Sequence, residues 1–583
     1  MRNLKQIGYM FILAMLIANI AFPLEAYAST IKEQFHITEH VHYKDIEVSD
    51  STDKQRLRVM EINTNDPDTF IDLGLTSELG QTRQTTALAN DYSKEGYHVL
   101  GAINGSFYHM HGPSFQIGMP MNLIAIYNQV IQAGEVYESK GSYVNEPIAF
   151  GVNAEGKNVI DYFNFGIRYV HNGNAYDITT TNKNREENDT ILYTPDFPED
   201  TTETNPWGVE VVVTLPEKPV LEFDSKVVGT VTSIRERGNE QPTVIPENGF
   251  VLSGHGMGSH NLENMSLGDS ITLEVHIDNQ WKDSAFMLAS GPLLVKDGKV
   301  NITMDPGSAN AGLKAPRTAI AINKTGEKVY FITVDGRQKG YSDGMTITQF
   351  AEYLAELGVD RALNLDGGGS TTMGVRYPQT TQLALANKPS DGRERGVPSI
   401  LMAVTSAPVP VFPDVSSSHW AFDSILSLFN RGTITGYQNG TFRPDQDIRR
   451  SHVALMLARQ FNLDTDHVVD PEFKDVSKSD LEYGAIAAAV QAGLFEGKGE
   501  GLFGKNASLT RAEMATIVKR AFDIPDTDTS YFTDTKGHWA FDAINAIADQ
   551  GVADGYPDGT YQPEKNVSRA EFSKFLVEGE KIK

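Results

Sequence analysis

Between Arg361 and Met373 the chain reads Arg-Ala-Leu-Asn-Leu-Asp-Gly-Gly-Gly-Ser-Thr-Thr-Met: a short apolar run, one carboxylate, three glycines and three hydroxyls. Asp366 then stands at the end of a strand, and Gly367, Gly368 and Gly369 leave the backbone bare enough for a ligand to approach closely. Successive N–H groups in such a turn can form a concave anion site, with the Ser370 hydroxyl beside it. Asp-Gly-Gly also serves in ordinary turns, so the surroundings must decide. Upstream, Lys328–Val334 is a β-branched and aromatic run that ends in Asp335-Gly336-Arg337. Ile347, Phe350, Ala351, Leu354 and Leu357 then fall at helical spacing, with Thr346 as N-cap and Gly358 as stop. Strand, crossover helix and strand predict two parallel strands joined right-handedly, which brings Asp335 and Asp366 to one edge of a sheet. Open α/β sheets bind ligands outside the carboxyl ends of their strands. Asp335, Asp366, Arg337 and the glycine turn are therefore a candidate site.

Five motifs follow one another in the chain: Asn104-Gly105-Ser106-Phe107-Tyr108, Ser290-Gly291-Pro292, Arg317-Thr318-Ala319-Ile320, Asp335-Gly336-Arg337 and Asn364-Leu365-Asp366-Gly367-Gly368-Gly369-Ser370. Their order resembles that of the phosphodiester glycosidases, the family of the lysosomal enzyme that uncovers a phosphate by removing N-acetylglucosamine from a sugar-1-phosphodiester. The likeness spans residues 95 to 406, including Pro389-Ser390-Asp391 and Arg395-Gly396-Val397-Pro398. Ser106 and Tyr108 stand where the eukaryotic relatives have Gly and Phe. The stretch from 150 to 285 carries no such likeness. Its apolar–polar alternation, as in Val209–Leu215 and Ile271–Ile277, predicts additional β structure, a β-rich insert.

The resemblance implies hydrolysis of a sugar-1-phosphodiester. Breaking the anomeric C–O bond expels a phosphomonoester, whose second pKa is roughly 6, so the leaving group needs neutralisation of charge more than a proton. Arg317 and Arg337, with N–H groups of Gly367–Gly369, suit that task. An oxocarbenium-like centre needs a carboxylate to stabilise it, attack it or activate water. Asp366 is the first candidate and Asp335 the second. Asn104 and Ser370 are candidates for orienting sugar or phosphate oxygens. Plainer readings stand beside these: Arg317 as a strand-end salt bridge, Asn104-Gly105 as a turn. His109 and His111 have a metal-like i, i+2 spacing but no third ligand in view. A set of Asp335, Asp343 and Asp366 around a divalent ion is the alternative that would make the protein a metal-dependent phosphodiesterase. No metal ligand set is assigned, and no cofactor is expected outside that alternative.

The ends of the chain say where it acts. Arg2 and Lys5 precede an apolar run from Ile7 to Phe22, and Ala26-Tyr27-Ala28 supplies a small-x-small cleavage site. Residues 1–28 read as a secretory signal peptide, with a mature N-terminus expected at Ser29. No other segment reaches the ~18 consecutive apolar residues of a membrane span. Near the C-terminus, Asp414, Asp475 and Asp534 recur at intervals of 61 and 59 residues, each two residues after a Phe. Arg450, Arg511 and Arg569 recur with them, each 18 residues after Gly432, Gly493 or Gly551. Fixed internal spacing in three units is a repeat. The units resemble S-layer homology modules, which implies a three-pronged helical bundle that binds secondary cell-wall polysaccharide, often pyruvylated. Thr510-x-x-Glu513 and Ser568-x-x-Glu571 are capping boxes, which leaves Arg511 and Arg569 in a first turn where they oppose the helix dipole. A cation placed against local preference is a ligand candidate. The residues expected to carry polymer binding are Asp414, Trp420, Arg450, Asp475, Arg511, Asp534, Trp539 and Arg569. The first unit, with Arg449-Arg450-Ser451-His452, lacks the capping box. The second has Leu481 where its neighbours have Trp420 and Trp539.

A chain of 583 residues exceeds one compact core. The expected organisation is a catalytic domain over 46–406, α/β (α+β) with a mixed sheet, then a linker at 407–411. Three repeats over 412–472, 473–531 and 532–583 form an all-α bundle. There are no cysteines, hence no disulfide or thiolate chemistry. A net charge of −26 argues against nucleic acid as partner, and any grip on anionic wall polymer must come from local arginines. The function expected is a secreted glycosidase at the bacterial cell wall or S-layer surface, acting on an anomeric phosphodiester in a glycopolymer. A non-catalytic polysaccharide-binding surface protein is the other alternative.

Overall fold

The computed structural model describes residues 28–49, 53–134, 146–305, 307–437 and 439–582. Of the expected signal peptide, 1–28, residues 1–27 lie outside the described residues. Eight strands form the sheet that carries the site, in the order Ala28–His36, Val41–Ser49, Lys54–Asn63, Lys328–Val334, Arg317–Ile322, Arg361–Asn364, Leu293–Lys296 and Lys299–Val300. Lys328–Val334 and Arg361–Asn364 do run in the same direction, but not side by side. Arg317–Ile322 lies between them, antiparallel to both. Asp335 and Asp366 thus leave the same edge, and Arg317 enters the sheet there.

Period-two patterning explains the layers. Val329, Phe331, Ile320, Ile322 and Leu363 point into one core. Ile332, Val334, Ala319, Ala321 and Ala362 point to the other face, against Phe350, Ala351 and Leu354 of the helix Ile347–Glu356. That helix starts in a capping box: the Thr346 hydroxyl accepts from Gln349 N (3.1 Å) and the Gln349 side chain accepts from Thr346 N (3.0 Å). It ends at Leu357, followed by Gly358 at φ +84°.

A five-stranded sheet faces the first across the shared core, in the order Leu383–Leu385, Met373–Arg376, His98–Asn104, Ser399–Thr405 and Thr69–Leu75. Its outer side is covered by the helix Thr85–Tyr92, through Leu88 and Ala89. The site region is therefore helix, sheet, sheet, helix. A second five-stranded sheet, with Ile148–Val152 and Phe286–Ser290 in it, alternates its side chains between this core and the core of an outer eight-stranded sheet. The outer sheet runs from Gly166–His171 to Ser270–His276 and includes Gly208–Thr214 and Gly249–His255. It is mixed through one parallel pair, Thr180–Thr181 with Thr190–Tyr193.

Six helices follow, two per repeat, around a single core: Phe422–Asn430, Arg450–Gln460, Tyr483–Gln491, Arg511–Ala521, Phe541–Asp549 and Arg569–Glu580. The first helix of each repeat ends at a glycine in the left-handed region: Gly432 at φ +73°, Gly493 at +74°, Gly551 at +70°. Just before each second helix the repeats clasp one another in a ring: Ile448 N donates to Val567 O, Val567 N to Leu509 O and Leu509 N to Ile448 O, each at 2.9 Å. The join to the sheets is packed. Val409 is buried in the sheet core and Val411 in the helical core. Gln379 reaches across, its N–H donating to Val411 O (2.8 Å) and its side chain to Tyr437 O (3.3 Å).

Candidate active site

The glycine turn is where the five motifs meet. Asn104, at the end of its strand, donates through Nδ2 to Asp366 O (2.7 Å) and Gly105 O (3.4 Å). Its Oδ1 accepts from Thr318 Oγ1 (2.9 Å) and Thr372 N (3.1 Å). Asn364 Nδ2 donates to Gly291 O (3.0 Å) and Leu365 O (2.8 Å). Asp366 N donates to Gly105 O (3.2 Å). Asn104 therefore has no polar capacity left for a sugar or phosphate. It differs from the expected ligand-orienting role because its amide is what stitches two sheets to the turn.

Asp366 emerges half-buried at this edge, its carboxylate accepting from Ser370 Oγ and Gly367 N–H. Burial pushes its pKa up to about 6, against the pull of those two donors and of Arg395. The Gly367 N–H thus serves the carboxylate, and Gly368 N donates to Pro316 O (2.9 Å). Two of the three N–H groups expected to cradle an anion are already committed. The glycines have a different use. Gly368 sits at φ +61° with the Arg337 guanidinium against its bare α-carbon, and a Cβ on Gly369 would collide with Arg395 and Asp391. The turn is stripped of side chains so that two guanidinium groups can lie on it.

Asp335 differs from the expected second catalytic carboxylate. It is buried, and it pairs with Arg58 of the Lys54–Asn63 strand. Oδ2 also accepts from Tyr341 OH (3.0 Å), while Oδ1 accepts from Asn387 Nδ2 (3.0 Å) and Lys388 N (3.1 Å). Both oxygens are saturated by the scaffold, so Asp335 binds the sheet edge to the 387–388 segment. Arg317 is also engaged by backbone: Nε donates to Met345 O (3.0 Å) and Nη2 to Leu313 O (2.6 Å) and Asn310 O (3.3 Å). Arg337 is exposed, and its guanidinium lies on the turn. Asp343 does not join Asp335 and Asp366 around a common point. Among the described residues no three His, Cys, Asp or Glu side chains converge as metal ligands do. His109 meets Gln116 Nε2 (3.2 Å).

The principal cation missed from sequence is Arg395. Its Nε and Nη2 both donate to Asp391 Oδ2 (2.9 and 2.6 Å), and Nη1 reaches Ser370 Oγ (3.4 Å) and Met110 Sδ (3.2 Å). Tyr108 closes that side, its hydroxyl donating to Gly396 O (3.0 Å). The signal was present: Asp391 and Arg395 are an i, i+4 pair inside two of the quoted motifs.

In the repeats each arginine reaches into a neighbour. Arg450 Nε donates to Phe503 O (2.9 Å), Arg511 Nε to Tyr561 O (2.8 Å) and Arg569 Nε to Phe442 O (2.7 Å), so repeat one holds two, two holds three, and three holds one. Each guanidinium is buried over the rings it reaches: Phe495 and Phe503, Tyr556 and Tyr561, Tyr437 and Phe442. Arg450 Nη1 is taken by Glu513 Oε1 (2.8 Å), whereas Nη1 of Arg511 and of Arg569 has no hydrogen-bond partner among the described residues. The three aspartates differ from the expected polymer contacts, because each clamps a loop of its own repeat. Asp414 accepts from Phe442 N and Arg443 N, Asp475 from Phe503 N and Gly504 N, and Asp534 from Tyr561 N and Gln562 N, at 2.6–2.8 Å. Trp420 and Trp539 are exposed, each beside a histidine, His419 or His538. Leu481 is 96% exposed.

Residues 224–404 match the family described as phosphodiester glycosidase, and residues 411–454, 472–515 and 531–573 match the S-layer homology domain. The chain carries a phosphodiester glycosidase domain followed by three S-layer homology domains, and it is a secreted, cell-surface protein. Asn104 and the loop after it precede the matched stretch. The chain is 34% identical over 170 residues to an S-layer protein of Bacillus licheniformis, a match covering 28% of this chain and 19% of that protein. It therefore spans about a fifth of the length of that curated relative. In fold it is similar to a hypothetical protein from Synechocystis, with a TM-score of 0.50 at 17% identity over 65% of this chain and 64% of the other. It is likewise similar to a putative exported protein from Burkholderia pseudomallei, with a TM-score of 0.50 at 16% identity over 65% of this chain and 97% of the other. No helix among the described residues is long and apolar enough to cross a membrane.

Proposed function

We propose that the protein is a hydrolase that removes a sugar, N-acetylglucosamine or a close relative, from an anomeric phosphodiester in a cell-envelope glycopolymer. The observation that carries this reading is the placing of Asp366 at the head of a side-chain-free turn on which two guanidinium groups lie, Arg337 against Gly368 and Arg395 against Gly369, with Arg395 acting on the Asp366 carboxylate. A phosphodiester laid on that turn meets two cations, and its anomeric carbon meets a carboxylate. Bond breaking at C1 puts negative charge on the departing phosphate, where the guanidinium groups act, and positive charge on the sugar, where Asp366 acts. Asp366 is ionised above about pH 6, which suits that second role near neutral pH.

The repeats hold the enzyme to secondary cell-wall polysaccharide, including polymer that bears pyruvate ketals. The open Nη1 groups of Arg511 and Arg569 would receive its carboxylates, and Trp420 and Trp539 would stack on its sugar rings. Product analysis on a defined N-acetylglucosamine-1-phosphodiester in ¹⁸O-labelled water tests the reaction. The label is expected on the free sugar, with an unlabelled phosphomonoester. Label in the phosphate would mean P–O cleavage and overturn the reading in favour of a phosphodiesterase.

A further inference from the structure

Hydrolysis at an anomeric carbon needs a group to take the proton of the attacking water. Asp335 cannot serve, since both its oxygens are filled by Arg58, Tyr341, Asn387 and Lys388. Asp391 has the opposite disposition. Arg395 spends two donors, Nε and Nη2, on the same oxygen, Oδ2, so Oδ1 has no hydrogen-bond partner among the described residues. The side chain keeps 35% of its surface in solvent. It is also fixed in place, because Arg395 is itself held by Ser370 Oγ and Met110 Sδ. Ser370 Oγ in turn donates to Asp366. Asp391, Arg395, Ser370 and Asp366 are therefore linked by continuous polar contacts across the turn. Gly369 clears the space between them, since a Cβ there would strike both Arg395 and Asp391 Oδ2.

We propose that Asp391 is the second catalytic carboxylate of the site, its Oδ1 accepting a proton from the water that attacks the sugar. The assignment rests on the glycosidase reading above. As the water oxygen bonds to C1, one of its protons passes to Asp391 Oδ1. The bond from C1 to the phosphate oxygen breaks with its electron pair on that oxygen, where Arg337 meets the charge. The products are the free sugar and a phosphomonoester, and Asp391 returns its proton to solvent. Asp366 stays on the buried side of the turn and stabilises the positive charge at C1. The two carboxylates thereby differ in task as they do in surroundings, one desolvated and one open to water.

The test uses the full chain, a defined N-acetylglucosamine-1-phosphodiester, and the variants Asp391→Ala and Asp391→Asn. Each is expected to lose at least roughly a hundredfold in kcat, the lower end of what a positioned acid–base group contributes, with KM moved little. Added azide, which needs no deprotonation, is expected to restore turnover in Asp391→Ala and to leave as the glycosyl azide. A residue that merely oriented Arg395 would instead raise KM to the extent that a parallel Arg395→Ala variant does and show no azide rescue, and that result overturns the proposal. Should the variants unfold, carbodiimide labelling of the wild-type protein reads the same group. Inactivation that tracks modification of Asp391 and is slowed by substrate supports it, and inactivation without modification of Asp391 overturns it. Wild-type turnover in both variants overturns this assignment alone. A wild-type protein that releases no sugar overturns the glycosidase reading and this assignment with it.

Discussion

Asp366→Asn should make the protein more stable while removing its activity, and the pH dependence of that gain is fixed by the structure. Burial moves the Asp366 pKa from the ordinary 3.8 up to about 6, despite the Ser370 hydroxyl, Arg395 and the Gly367 N–H. In the unfolded chain the group ionises near its ordinary value. Between about pH 4 and pH 6 the folded protein therefore binds a proton that the unfolded chain has released, and folding stability falls as pH rises through that window. Above about pH 6 the cost is complete. At roughly 1.36 kcal/mol per pH unit, the interval from 3.8 to about 6 is worth about 3 kcal/mol. Asparagine keeps an oxygen for Ser370 Oγ and Gly367 N–H but has no charge to desolvate. At pH 7.5 the variant should exceed the wild type by up to about 3 kcal/mol, or about 6 °C in the calorimetric transition of the sheet domain at about 2 °C per kcal/mol. At pH 4 the two should melt together. Turnover should drop by at least roughly a hundredfold. A variant no more stable than wild type at pH 7.5, or one whose advantage is as large at pH 4, would refute the claim that desolvation governs Asp366.

Asp335→Asn is expected to fail in the other direction: it leaves the buried Arg58 guanidinium with only the more distant Asp45 carboxylate (3.5 Å), at up to about 3–5 kcal/mol, and activity should fall only as far as the folded fraction does. A variant that melts with the wild type yet is inactive would return Asp335 to a direct catalytic role. Arg569→Ala removes the tie from repeat three to Phe442 O of repeat one and leaves that carbonyl unpaired, so wall sedimentation and the melting temperature of the helical domain should fall together, the latter by an amount equivalent to about 1–3 kcal/mol. Trp539→Ala, at an exposed site, should weaken wall sedimentation with a stability change within about 0.5 kcal/mol. Equal sedimentation by this variant would remove the tryptophan from the polymer surface.

The direction of the two site strands was legible because strand, amphipathic helix and strand form a local unit whose periodicity can be read in sequence. The strand between them was not assigned a place, because Arg317–Ile322 packs by its Ala-Ile alternation, small side chains toward the helix and large ones toward the sheet core. Which aspartate the scaffold occupies was less legible still. Asp335 and Asp366 both precede a glycine at a strand end, and no local pattern distinguishes them. What separates them is Arg58, 277 residues before Asp335 in the chain, delivered by a strand that the motifs do not include. Asp391 and Arg395 were in view as residues but not as a pair, since only the turn brings them against Ser370 and Asp366.

The repeats teach the same point from the other side. Regular spacing selected the aspartates and the arginines together, yet spacing reports structural need as readily as ligand contact. The aspartates recur because each repeat needs its loop clamped by two N–H bonds at a fixed place. The arginines recur because each must span to the next repeat, and that demand overrides the unfavourable helix dipole at their position. A guanidinium has donors enough for both tasks, since Nε and Nη2 can serve the neighbouring carbonyls while Nη1 stays open. The arginines are not equivalent in that respect. Glu513, brought to the second repeat as part of its own capping box, also takes Nη1 of Arg450, with Lys498 beside it at 3.3 Å. A polymer carboxylate approaching Arg450 must displace an ion pair, whereas Nη1 of Arg511 and of Arg569 has no partner among the described residues to displace. On the proposed reading, wall binding by the arginines is therefore expected chiefly at the junctions of repeat two with three and of repeat three with one.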